Sequence, residues 1–166
     1  MSLRRRRGKP LSAKAQIARM QRKWPSFELL ESRQGAAWGG KLYPLQKGYC
    51  VRLLWSAAPG ARPYVYLVDP PLTPRPGKTF EEIPHLMFND KRPELSGLCL
   101  FDPDGGEWDH TMFVADTTIP WAAEWLKFYE LWHYDGVWRG RSIGYENVAE
   151  ARAAAVHESQ SRNEAQ

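Results

Sequence analysis

Residues 84–108 read PHLMFNDKRPELSGLCLFDPDGGEW, a run with one cysteine, one histidine, three prolines and three glycines. It is too broken for a long helix or strand. Leu86–Phe88 and Leu98–Phe101 read as short extended pieces around a charged turn, Asn89–Glu94, and Asp102–Asp109 as an acidic, glycine-containing loop. Downstream the pattern changes. Thr117 or Thr118 can cap a helix, and Pro120 is tolerated in its first turn. Trp121, Trp125, Phe128 and Trp132 follow at spacings of four, three and four, one helical face that reads as core. Gly136 is placed to end the helix.

Upstream, residues 69–84 hold Pro70, Pro71, Pro74, Pro76, Gly77 and Pro84, which makes a stiff surface loop. Before that loop, Tyr64–Val68 reads as a strand, and Tyr49, Val51, Leu53 and Trp55 alternate with Cys50, Arg52 and Leu54 at a period of two. Pro59-Gly60 is a turn, Gly35–Gly40 reads as another, and Phe27–Ser32 as an apolar-rich strand. Ser12 caps a helix over Ala13–Lys23, with Ile17 and Met20 on one face and Pro25 stopping it. Residues 1–10 read as a flexible basic arm, 11–158 as a single domain with an alanine-rich helix at Glu146–His157, and 159–166 as a disordered tail. The order is helix, a meander of about four strands, an irregular cysteine-bearing segment, then helices: an α+β domain.

At 166 residues with 13% aromatics, the chain has material for one real core. No apolar run approaches the roughly 20 residues of a membrane-spanning helix, and the basic start lacks the apolar region of a secretory signal. Two cysteines without an export signal point to the cytoplasm and free thiols. Residues 1–24 contain nine Lys or Arg and no acid; taking these from 23 leaves 14 basic against 19 acidic residues, about −5 for the rest. The arm can touch an acidic partner, but Arg4–Arg7 read more simply as solvated, and nucleic-acid binding is not expected. Cys50, Cys99, His85, His110 and His133 lack the close paired spacing of a zinc site. No glycine-rich phosphate loop is present, so the chain cannot activate a carboxylate with ATP. A papain-like protease is unsupported, because the cysteine lacks helix-opening surroundings. No cofactor is expected.

The order of elements resembles the ubiquitin-conjugating fold: a first helix, a four-stranded antiparallel meander, a proline-containing crossing, an active-site stretch and C-terminal helices. Tyr64–Val68 followed by Asp69-Pro70-Pro71-Leu72 resembles its third strand and proline pair. Pro84-His85 stands where that family has His-Pro-Asn, Gly97-Leu98-Cys99-Leu100 resembles its Gly-x-Cys-Leu, and Trp108 falls nine residues past the cysteine. Two departures stand out: no proline follows the histidine, and the histidine lies 14 residues before the cysteine. The spelling of Glu107-Trp108, Thr118–Leu126, Tyr129-Glu130-Leu131-Trp132 and Gly136-Val137-Trp138-Arg139-Gly140 is similar to stand-alone conjugating-enzyme-like proteins of short type II CBASS antiphage operons. The similarity covers about residues 25–140, and its most specific part is the tryptophan-rich helix.

The resemblance implies a transferase. Cys99 would carry, as a thioester, the C-terminus of a cGAS/DncV-like nucleotidyltransferase (CD-NTase), and would pass it to target-protein lysines, priming antiphage defence. Two alternatives stay open: a catalytically inactive binding subunit on the same fold, and a conjugating enzyme of another bacterial ubiquitin-like pathway. Read alone, a cysteine between two leucines is a small buried hydrophobe; its ordered neighbours make it the candidate nucleophile. No Lys or Arg flanks it, and Asp102 and Asp104 disfavour the thiolate. His85 is a candidate for bracing the loop or assisting an oxyanion, and Asn89 is the nearest asparagine for that role. Asp102 and His110 are candidates for handling the incoming amine, against the plainer reading of Asp102, Asp104 and Asp109 as a solvated loop. Trp108 reads as the residue that packs this loop onto the body. Trp138 is a candidate partner contact, and Cys50 a structural thiol.

Overall fold

The computed structural model describes residues 8–31, 33 and 35–140. Arg4–Arg7, the proposed helix Glu146–His157 and the tail 159–166 lie outside the described residues. Helix α1 spans Ala13–Lys23, and Ser12 Oγ accepts from Ala15 N as its N-cap. Its fully buried residues are Gln16 and Met20, so an amide stands where Ile17 was expected, and Ile17 packs at the margin. Gln16 is satisfied at both ends: its amide donates to Met112 O at 2.9 Å and its carbonyl accepts from Val114 N at 3.0 Å. Trp24 Nε1 donates to Ala115 O, and Arg19 and Lys23 both pair with Asp116. Together these contacts fasten α1 to the segment that leads into the second helix.

Strands β1 (Glu28–Glu31), β2 (Gly35–Leu42), β3 (Tyr49–Ser56) and β4 (Tyr64–Asp69) form an antiparallel meander. Two further two-residue strands, β5 (Leu86–Met87) and β6 (Gly97–Leu98), extend it to six strands in the order β1-β2-β3-β4-β6-β5. The expected four-stranded meander is present, and the two short strands lengthen its sheet at the cysteine end. A correction concerns Gly35–Gly40, which is strand and not turn. Its glycines admit neighbours rather than bend the chain: a Cβ on Gly40 would lie 2.5 Å from the Phe27 ring.

On β3, Tyr49, Val51, Leu53 and Trp55 are buried while Cys50, Arg52, Leu54 and Ser56 are not, the expected period of two. Helix α2 spans Thr118–Asp135 and ends at Gly136, whose left-handed conformation lets its N–H reach Trp132 O at 2.8 Å. Thr117 sits at the N-cap position, but its hydroxyl donates to Phe113 O instead of capping. The buried face of α2 includes Ile119, Ala122, Leu126, Tyr129 and Trp132, which join the β-sheet residues in one core; burial of each such aliphatic side chain contributes about 1.5–3 kcal/mol. Tyr129 OH accepts from Thr73 N and donates to Thr73 O, so the proline-rich loop clamps α2. Among the described residues no helix is long and apolar enough to cross a membrane.

Candidate active site

Cys99 follows β6 directly, and its position begins with a glycine. Gly97 lies between Tyr64 and Met87, where a Cβ would meet the Tyr64 ring at 2.5 Å and Met87 Cε at 2.6 Å, so no other residue brings the chain through without displacing one of them. Leu98 pairs with Leu86 in the β5–β6 ladder, and the ladder runs one step further: Cys99 N donates to His85 O at 2.9 Å. The same His85 carbonyl accepts from Trp125 Nε1 at 2.9 Å. His85 makes this fork from a left-handed backbone, φ +50°, unusual for a side chain other than glycine and found where surrounding structure over-determines it. The carbonyl braces the cysteine; the ring lies 5.4 Å from that of Trp138.

Cys99 is only 6% exposed, yet it lines two clefts. The larger, about 400 Å³, is walled by Trp121, Trp125 and Phe128 of α2 and by Trp138, with Glu107, Glu124 and Arg139 as its charged groups beside His85. The smaller, about 190 Å³, is lined chiefly by Arg62, Tyr64, Met87, Phe101 and Pro103. Burial pushes the Cys99 thiol up, and the carboxylates of Asp102 and Glu107 push it further. The thiolate is thereby disfavoured, so an energised electrophile or a partner's charge favours reaction.

The structure joins His85 to Cys99 through a backbone hydrogen bond, and the other candidates make the following contacts. Asn89 Oδ1 accepts from Arg92 N at 3.0 Å, closing the charged turn, and Asn89 lines neither cleft. Asp102 Oδ1 accepts from Asp104 N, and Asp102 N donates to Glu107 Oε2; Asp102 acts on the thiol through charge and does not line its clefts. His110 packs edge-on to Trp108 at 5.1 Å, with Trp55 at 6.5 Å, and its buried Nε2 has no hydrogen-bond partner among the described residues. Trp108 is buried and stacks on Phe101. Asp109 Oδ1 accepts from Thr111 N. Cys50 is half-buried on β3, opposite Lys41 and Asp69.

Three features were missed in the sequence. Glu107 and Glu124 are the carboxylates that line the cysteine's cleft. The tryptophan stripe of α2 is divided: Trp132 belongs to the core, Trp125 is buried with its edge on the cleft, and Trp121 and Phe128 are only half-buried. Glu124 lies three residues after Trp121, on the same side of a helix, and that spacing was the available signal. Among the described residues no group of three acidic, cysteine or histidine side chains could hold a metal ion.

The sequence model of one protein family, described as the type II CBASS E2 protein, matches residues 16–145. No curated protein matches the chain.

Proposed function

The chain belongs to the type II CBASS E2 family, and from that membership we propose that it is a ubiquitin-conjugating-enzyme-like acyltransferase working through Cys99. The observation that carries the reading is Cys99 lining two clefts, its backbone held by His85. In the first step Sγ attacks an energised acyl carbonyl; the S–C bond forms, the leaving group departs and the thiol proton is lost to solvent. In the second, a neutral lysine amine attacks the thioester; the C–N bond forms, the C–S bond breaks and the thiol is regenerated. Free lysine has a pKa near 10.4, so the amine must shed a proton first, and Glu107 and Glu124 are the carboxylates that line the cleft and can accept it.

The acyl group in this reading is the C-terminus of the CD-NTase, and target-protein lysines in the cytoplasm receive it. The test is reconstitution with the CD-NTase bearing an activated C-terminus. A thiol-sensitive adduct forms on the native chain, is absent from Cys99→Ala and becomes a thiol-resistant ester in Cys99→Ser. Identical conjugates from Cys99→Ala refute the transferase.

One observation favours a second reading, a catalytically inactive binding subunit: the 6% exposure of Cys99. That reading requires phage protection to survive Cys99→Ala and to fail only when a partner surface is disrupted.

A further inference from the structure

Beyond Gly136 the chain turns back on α2. Gly136 has φ +79°; Asp135 Oδ1 accepts from Val137 N at 2.9 Å, and the Asp135 carboxylate pairs with the Arg139 guanidinium. Arg139 also donates to Val137 O at 3.3 Å. This short turn delivers Trp138, Arg139 and Gly140 to the wall of the Cys99 cleft. The Trp138 ring lies 5.4 Å from His85, 5.5 Å from Trp125 and 5.9 Å from Phe128. Gly140 passes so close to it that a Cβ there would stand 2.6 Å from Trp138 Nε1.

The strap is held by the Asp135–Arg139 pair, the Val137 N–H bond to Asp135 and the packing of Trp138 on His85, Trp125 and Phe128, with Arg75 against Gly136; Val137 between them is 52% exposed. The seated indole is imperfectly accommodated: Trp138 Nε1 is buried without a hydrogen-bond partner among the described residues. A buried donor left unpaired costs free energy that release into water returns. The fixed wall of the cleft, by contrast, is α2 itself, tied by Trp125 Nε1 to His85 O.

We propose that residues 136–140 are a lid over Cys99, hinged at Gly136, latched by Asp135–Arg139 and closed by Trp138. With Trp138 seated, the larger cleft admits only small molecules to Cys99; with the strap swung out, one of its walls is gone and a bulky electrophile enters from that side, while the smaller cleft, which no strap residue lines, is unchanged. The inference concerns access to the sulfur and does not rest on what the sulfur carries. Its test is therefore separate from that of conjugation.

In the full chain with Cys50→Ser, so that Cys99 is the one thiol, the second-order rates of alkylation by iodoacetamide and by a bulky fluorescein maleimide are measured. The native strap gives a slow maleimide reaction relative to iodoacetamide. Trp138→Ala raises the maleimide rate about 10-fold, the gain available when an open state populated at roughly 10% becomes the major one. Arg139→Gln, which removes the latch without touching the core, raises it less, and Trp138→Phe restores native protection. A cooperative thermal melt establishes that each variant is folded; if Trp138→Ala fails that check, Arg139→Gln decides. Maleimide rates in the deciding variant equal to native overturn the lid, and so does a Trp138→Phe variant as reactive as a folded Trp138→Ala.

Discussion

Replacing Gln16 by Met tests how the segment preceding α2 is held. Methionine keeps the length and approximate volume of glutamine, so the change leaves no large cavity and isolates two hydrogen bonds. The Val114 N–H loses an acceptor at 3.0 Å and the Met112 carbonyl a donor at 2.9 Å. Gln16 and Val114 are fully buried, so water does not replace the lost acceptor. An orphaned buried group costs about 1–3 kcal/mol, and the carbonyl, part-buried with a second lone pair, lies at the low end, so the pair sums to about 2–4 kcal/mol. Against a total stability of about 5–15 kcal/mol this is large. In urea unfolding followed by tryptophan fluorescence, the midpoint should fall by roughly 1–2 M with the slope unchanged. A midpoint within about 0.3 M of native would show that the amide is not the fastening described here.

Three further outcomes follow from the site and its supports. Glu107→Gln removes a carboxylate that pushes the Cys99 thiol up while keeping an acceptor for Asp102 N, so the pH midpoint of iodoacetamide alkylation should move to lower pH; an unmoved or raised midpoint contradicts it. Gly97→Ala forces a methyl against the Tyr64 ring and Met87, and should destabilise the fold by about 1–3 kcal/mol in denaturant titration, whereas native stability would refute the close fit. The hydrogen bond from Arg139, with that from Val137 N, depresses the Asp135 carboxyl from 3.8 to about 2. A depressed carboxyl contributes stability above its unfolded value and loses it as pH falls through the folded one, so the latch should persist at pH 4 and be lost near pH 2. Carboxyl NMR of Asp135 reads this directly, and a midpoint near 4 would contradict it.

Much of the fold was legible because local chemistry and tertiary packing agree. Ser12 and Pro25 bracket α1, Gly136 ends α2, and the alternation on β3 survives because one sheet face is buried. The reading failed where a residue type serves two purposes. Glycines in Gly35–Gly40 looked like a turn, yet they clear space for Phe27 and Leu30 beside a strand. Strands of two residues, such as β5 and β6, carry no periodicity to detect. At the site, Cys99 and His85 were nominated from their order, and Asn89 and His110 by residue type; the Asn89 side chain closes a local turn and His110 joins an aromatic cluster, contacts that no local sequence signal marks. The helical stripe pointed inward only in part, because a helix lying at the rim of a cleft shares its aromatic face between core and opening.

The forked carbonyl of His85 has a mechanical meaning. One peptide plane serves two masters, the indole of a long helix and the amide of the reactive residue. Any protein that grips α2 and nudges it along its axis thereby pulls on the main chain of Cys99 through the Trp125 indole and the His85 carbonyl. The imidazole can be exchanged for another ring without cutting that tether.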